Sequence, residues 1–154
     1  MPQIKHKKQT YKISPPLQQY LGENGRSSEI PLAYEDLLRY ENAIPLYDHQ
    51  GNDTLWLTVF YPHHAVDEIF YALKYIYSLM KADGDISVME HKYIDRVDLC
   101  SYGNTRPFRV RIVNKVNDNF DYFYIKYSDA SRIYGLELEH ILSPNPISYI
   151  VDRT

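Results

Sequence analysis

A long amphipathic segment in the middle of the chain constrains the fold more than any other feature. From His64 to Ala82, apolar residues recur every three or four positions and predict one buried stripe of a helix. The stripe consists of Ala65, Ile69, Leu73, Ile76 and Met80, widened by Phe70, Ala72 and Tyr77. Asp83-Gly84 is a typical stop signal. Such a helix needs a second apolar layer to cover its stripe.

Short segments rich in aromatic and β-branched residues can form that layer. Strands are predicted over 55–61, 92–99 and 147–151, and a β-hairpin over 108–127. Strict alternation within 92–99 predicts one face made of Tyr93, Asp95, Val97 and Leu99 and another made of Lys92, Ile94, Arg96 and Asp98. In the hairpin, Phe108, Val110 and Ile112 should face the core, with Arg109 and Arg111 on the other side.

Two further helices are predicted, over 31–43 and over 130–142. The element order favours an α+β fold, with a mostly antiparallel sheet of about five strands and two main amphipathic helices packed on it. We expect Val59, Val110 and Ile112 to meet the stripe of helix 64–82, together with Ile141 from the last helix.

The first thirty residues differ in composition from the rest. Residues 1–30 are basic at their start, and Pro15-Pro16 and the Gly22–Ser28 stretch should interrupt regular structure. They are predicted to form an extended N-terminal arm, and 31–154 a single α+β domain. The arm is either a poorly ordered tail or a segment that docks on a partner.

Charge and cysteine content exclude several classes of protein. With 17 basic and 20 acidic residues the net charge is −3, which disfavours a dedicated nucleic-acid or membrane-surface protein. Cys100 is the single cysteine, so an intrachain disulfide is impossible and an intracellular, cytoplasmic location is expected. The longest strongly apolar stretch, Ile69 to Met80, is too short to span a membrane.

Motifs for metal, cofactor or catalytic chemistry are incomplete. The segment from Asp83 resembles a calcium loop, but Val88 and Ile94 stand where an EF-hand needs Gly and Glu. His63-His64 cannot place two imidazoles on one helix face. Because the chain also lacks GxSxG, HExxH, Walker A and GxGxxG motifs, we expect no metal, no cofactor and no catalytic residue.

The positive signal is for contact with other proteins. The chain contains 16 tyrosines, and Tyr and Arg are enriched at interfaces. The interface candidates are Lys7, Lys8, Tyr11, Arg106, Arg109, Arg111, Tyr122 and Tyr124. The strand residues among them are interpreted as a solvated sheet face or a protein interface, with a single-stranded nucleic-acid platform as the distant alternative.

One acid needs a partner of its own. Glu137 shares a helical stripe with Ile133 and Ile141, so it should be buried, and Lys126 at the end of the preceding strand is the nearest cation in sequence. Residues 106–151 resemble the small lobe of protein-kinase-like folds, in which a strand lysine pairs with a helix glutamate and holds ATP phosphates. The resemblance implies a nucleotide-binding role for Lys126 and Glu137. The turn at Asn117–Phe120 lacks the glycine-rich loop, and His-Arg-Asp and Asp-Phe-Gly are absent from the sequence.

The sequence therefore predicts a non-catalytic protein-binding or assembly subunit with other protein subunits as partners. The alternative is an ATP-binding, kinase-like small lobe of a split or truncated phosphotransferase. In the first case the Lys126–Glu137 pair is an ordinary salt bridge; in the second it binds phosphate.

Overall fold

The computed structural model describes residues 12–102, 106–127, 130–142 and 148–152. The chain divides into two compact units. The first combines the segment that ends at Ser28 with the segment that begins after Tyr127, and the second runs from Glu29 to Tyr127.

Four helices and seven strands follow one another along the described residues. The helices are α1 (Pro15–Glu23), α2 (Tyr34–Leu37), α3 (His63–Lys81) and α4 (Ala130–Leu142), with a 3-10 turn at Ile86–Met89. The strands are β1 (Ser27–Ser28), β2 (Asn42–Tyr47), β3 (Asp53–Phe60), β4 (Lys92–Cys100), β5 (Phe108–Asn114), β6 (Phe120–Ile125) and β7 (Val151–Asp152).

The second unit is built on a five-stranded antiparallel sheet in the order β2-β3-β4-β5-β6. This sheet and the helices confirm the α+β class. Helix α3 connects β3 to β4 and covers one face of the sheet, which we call the inner face. Its core includes Val59, Val97, Leu99, Phe108, Val110, Ile112 and Phe123 from the strands and Ile69, Leu73 and Ile76 from α3.

The central helix was predicted correctly to within one residue at each end. Pro62 precedes the first turn of α3, where a proline fits because the first amides lack helical partners. Leu73 is fully buried, as the stripe predicts, whereas Met80 is only partly buried at the edge of the core.

The helix predicted over 31–43 is wrong for most of its length. Only Tyr34–Leu37 is helical, and Asn42–Tyr47 is a strand that the sequence prediction missed. Pro45 was expected to end a helix, because proline disrupts regular secondary structure. In the structure Pro45 lies in the edge strand β2, where a missing amide donor is tolerated.

The alternation predicted within 92–99 is also wrong, by one position. Ile94 and Val97, three residues apart, are both buried, because a β-bulge lies between Ile94 and Arg96. A bulge adds one residue to a strand and shifts the side chains that follow it to the other face. Asp95 is the extra residue. The bulge places Val97 and Leu99 in the core and leaves Asp98 on the opposite face.

The first unit brings together segments that lie far apart in sequence. Strands β1 and β7 pair in parallel, with Ser27 opposite Val151. Leu17 and Leu21 of α1 are buried in a small cluster with Ile133 of α4. The expectation that Ile141 joins the sheet core is wrong, because its side chain is 69% exposed. The apolar contact of α4 is made through Ile133 instead.

The break expected at Pro15-Pro16 is instead the start of a helix. Ser14 caps α1 by accepting from the amide of Leu17, and the two prolines occupy the first helical positions, which need no amide donor. The division into an arm of residues 1–30 and one domain of 31–154 stays a prediction. Among the described residues, no helix has both the length and the apolar character needed to cross a bilayer.

Candidate functional site

The sheet of the second unit has a second face, turned away from α3. We call it the outer face. It carries Ile44, Trp56, Thr58, Phe60, Asp95, Arg96, Asp98, Arg109, Arg111, Phe120, Tyr122 and Tyr124. Its side chains alternate along the strands with the core residues of the inner face, and the register places Thr58, Asp98, Arg109 and Tyr124 in one row across four strands.

A buried carboxylate lies at the centre of the outer face. Asp98 has no solvent exposure. It accepts hydrogen bonds from Thr58 Oγ1 at 2.9 Å, from Arg96 Nε at 3.1 Å and from Arg109 Nη2 at 2.9 Å. A buried charge is stable only when it is paired and hydrogen-bonded, and three donating side chains from three strands meet that need.

Arg109 is held by rings as well as by Asp98. Its guanidinium carbon lies 4.3 Å from the centroid of Trp56 and 4.9 Å from that of Tyr122. Arg96 donates to the Tyr122 hydroxyl oxygen at 3.3 Å and so fixes the second ring. Cation–π contacts and charge-assisted hydrogen bonds therefore orient one guanidinium from several sides.

Arg111 forms a second, smaller arrangement of the same kind. It donates to Asp95 Oδ2 at 2.7 Å, and its guanidinium carbon lies 4.4 Å from the centroid of Phe120. Asp95 is the extra residue of the bulge in β4, so the shift in register is what brings this carboxylate to Arg111.

Half-exposed apolar side chains surround this polar centre. Ile44, Phe60, Phe120 and Tyr124 are between 46% and 56% exposed. They belong to β2, β3 and β6, so they flank the arginines on both sides. Apolar side chains grouped on one face are a common mark of an interaction site.

An unusual backbone conformation stands beside Trp56. Leu55 has φ of 68°, in the left-handed region that a leucine rarely adopts. Its carbonyl accepts from both the amide and the hydroxyl of Ser101, at 2.9 and 2.7 Å, and its amide donates to Asp53. These bonds hold the strained residue in place next to the ring that stacks on Arg109.

The structure brings four of the interface candidates together. Arg109, Arg111, Tyr122 and Tyr124 all lie on the outer face. Arg106 lies in the loop before β5, where its side chain is exposed and its carbonyl accepts from Tyr34 Oη at 2.6 Å. Lys7, Lys8 and Tyr11 lie outside the described residues.

Sequence reasoning missed Trp56, Arg96 and Asp98. The signal for Asp98 was an acid placed between two apolar residues, Val97 and Leu99, in the middle of a strand. It was overlooked because strict alternation assigned Asp98 to a face together with Ile94, and the bulge was not foreseen.

Glu137 is buried, as its helical phase predicts, at 5% exposure. In the first unit its carboxylate lies 3.0 Å from Arg26 Nε and accepts a short hydrogen bond from the Tyr149 hydroxyl. Burial, and then the bond to this carboxylate, raise the pKa of Tyr149. Lys126 belongs to the second unit, and its pairing with Glu137 stays a prediction.

Comparison with protein-family models, with curated proteins and with solved structures gave no match to this chain. Among the described residues, no cluster of three or more His, Cys, Asp and Glu side chains could hold a metal ion. The outer face offers guanidinium donors, aromatic rings and half-exposed apolar groups.

Proposed function

We propose that this chain is a non-catalytic protein-binding or assembly subunit that contacts its partner through the outer face. The observation that supports this most is the position of Arg109, stacked between Trp56 and Tyr122 above the buried Asp98. Trp, Tyr and Arg are the residue types that dominate binding energy at interfaces, and they do so in well-packed central clusters.

The side chain of Arg109 is also held in one orientation in the absence of a partner. Asp98, Trp56 and Tyr122 restrain Arg109, so little side-chain freedom is left to lose on binding. The half-exposed Phe60 and Tyr124 supply apolar area around it, which a partner can remove from water. A restrained arginine and apolar area that a partner can bury both favour binding of another protein.

Site-specific photo-crosslinking tests this proposal. Tyr124 on the outer face and Tyr71 on α3, which is 61% exposed, are each replaced by p-benzoylphenylalanine in the full chain. After irradiation in its own cells, we expect the Tyr124 position to form a covalent adduct with another protein, and the Tyr71 position not to form it. The adduct should be lost when Arg111→Gln is added.

Two results would contradict the proposal. One is the absence of any adduct from Tyr124, and the other is the same adduct from both positions at equal yield. Either result would mean that the outer face is an ordinary solvated surface.

The alternative, an ATP-binding kinase-like small lobe, predicts a different measurement. ATP with magnesium would raise the melting temperature of the parent chain and leave that of Lys126→Met unchanged. We expect no such rise, because Glu137 already has Arg26 and Tyr149 as partners, which supports a structural role for this acid. A reproducible rise that disappears in Lys126→Met would favour the alternative.

A further inference from the structure

We infer that the outer face takes an acidic polypeptide segment of its partner, whose carboxylates pair with Arg96, Arg109 and Arg111. This inference rests on the proposed function and adds the chemical class of the partner. Three observations support it. The accessible charge of the outer face is positive, its guanidinium groups have donors without an acceptor among the described residues, and most of its aromatic rings are in contact with arginines.

The accessible charge on the outer face is positive, although the chain as a whole carries −3. Asp98 is fully hidden, whereas the side chains of Arg96, Arg109 and Arg111 are 25%, 17% and 27% exposed. Asp95 is the one carboxylate of this surface that meets solvent. A partner therefore meets three guanidinium groups and one acid, and complementary charge favours an acidic partner.

Each of the three arginines keeps a donor for a partner. Arg96 donates through Nε and Nη2 and Arg111 through Nη1, as described above, and Arg109 donates to Asp98 through Nε at 3.3 Å as well as through Nη2. Within the described part of the structure, Nη1 of Arg96 and Arg109 and Nη2 of Arg111 have no acceptor. Guanidinium edges of this kind bind carboxylates in a well-defined geometry.

A single-stranded nucleic acid would also bring negative charge, but it needs open ring faces for its bases to stack on. Here Arg109 covers one face each of Trp56 and Tyr122, and Arg111 covers one face of Phe120. Among the described residues, the rings of the outer face without a guanidinium over them are those of Phe60 and Tyr124, on two strands that are not adjacent, which is a poor platform for successive bases. A second copy of this chain is disfavoured as well, because two positive faces would oppose each other. A polypeptide with carboxylates and apolar side chains satisfies both the arginines and their apolar surround.

The single tryptophan of the chain provides the readout for a test. Trp56 stacks on Arg109, so its fluorescence should respond when a ligand reaches that guanidinium. The probe is a short tryptophan-free peptide that alternates Glu with Val and Phe, and its control has Gln at every Glu. With the full chain, we expect the Glu peptide to change Trp56 emission and to bind at least about tenfold more tightly than the Gln peptide.

Matched variants locate the effect. Arg111→Gln should weaken binding of the Glu peptide about tenfold, and Arg109→Lys should weaken it while preserving a cation beside Asp98. Lys81→Gln makes the same change of charge at the end of α3, on the other side of the sheet, and should bind like the parent. Circular dichroism spectra of the variants verify that each is folded.

Several outcomes would overturn the inference. They are equal binding of the Glu and Gln peptides, no binding of either, tighter binding of an oligothymidylate that Arg111→Gln abolishes, and dimerisation in sedimentation that the same variant abolishes. If the Glu peptide fails while the Tyr124 crosslink persists, the protein-binding function stands with a partner of other chemistry. If both fail, the function itself is overturned.

Discussion

Arg109 places its guanidinium carbon 4.3 Å from the centroid of Trp56, on a strand that is not adjacent to its own. Asp98 lies on the strand between them and accepts from Arg109. The stack therefore spans β3, β4 and β5 and depends on the register of all three strands. Any change that alters this register should also alter the environment of Trp56.

The buried carboxylate of Asp98 should contribute more to stability than the partly exposed carboxylate of Asp95. Asp98→Ala removes the acceptor of Thr58, Arg96 and Arg109, and we expect it to lower the free energy of unfolding by about 2–3 kcal/mol. Asp95→Ala, which removes a partly exposed partner of Arg111, should cost about 1 kcal/mol or less. Urea unfolding followed by Trp56 fluorescence measures both, and equal losses would show that Asp98 is not the centre of the network.

Backbone strain at Leu55 predicts a substitution that raises the free energy of unfolding. Leu55→Gly should raise the free energy of unfolding by about 0.5–1 kcal/mol, because glycine adopts a φ of 68° without a steric cost. Gly51 in the preceding turn also has positive φ, at 82°, and a Cβ added there would meet nothing within 4 Å. Gly51→Ala should therefore lower stability by about 1 kcal/mol through the backbone alone. A destabilised Leu55→Gly would contradict the assignment of strain.

The buried Tyr77 should make the protein sensitive to alkali. Burial, and then its hydrogen bond to Asp121, raise the pKa of Tyr77 to about 12 from the ordinary value near 10. Above pH 10 the unfolded chain loses this proton while the folded chain keeps it, so the free energy of unfolding falls between about pH 10 and pH 12. Below pH 10 both states hold the proton and this contribution is constant.

Replacement of Tyr77 isolates its share of that loss. Tyr77→Phe should lose less stability than the parent between about pH 9 and pH 11.5 in urea titrations. Tyr71→Phe, at an exposed position on the same helix, should follow the parent curve. Identical pH dependence in the parent and in Tyr77→Phe would show that this hydroxyl titrates alike in both states.

The first unit should depend on the ion pair that joins its two segments. Arg26→Met leaves the buried Glu137 with Tyr149 as a neutral donor, and we expect a cost of about 1–3 kcal/mol. Arg39→Met removes an exposed ion pair with Asp36 and should cost less than about 0.5 kcal/mol. Hydrogen exchange of the amides of α1 and α4 measures the effect locally, and unchanged protection in Arg26→Met would contradict it.

Local periodicity was enough to predict much of the second unit. The stripe of α3, the hairpin of β5 and β6 and the core positions Val59, Val110 and Ile112 follow from spacings of three to four or of two residues, which need no knowledge of distant contacts. Part of the outer face could also be predicted from the sequence, because Arg109 and Arg111 alternate with those core residues.

Two of the errors, at β2 and at β4, have a common cause, which is tertiary context. Pro45 is accepted in β2 because that strand lies at the edge of the sheet, and sequence alone does not reveal strand order. The bulge beside Asp95 depends on pairing with β5, and without it Asp98 could not be placed. The error at α1 is a local one, because Pro15-Pro16 was interpreted as a break although Ser14 and the two prolines together form a helix start.

The pairing of β1 with β7 has a consequence for the order of events during synthesis. Ser27 leaves the ribosome long before Val151, its partner in the parallel pair, has been made. Ile133, the apolar partner of Leu17 and Leu21, also comes after every strand of the five-stranded sheet in the sequence. Helix α1 therefore remains without its apolar partner for longer than any strand of the sheet remains without its neighbour, and during that time its uncovered side is open to a chaperone or protease.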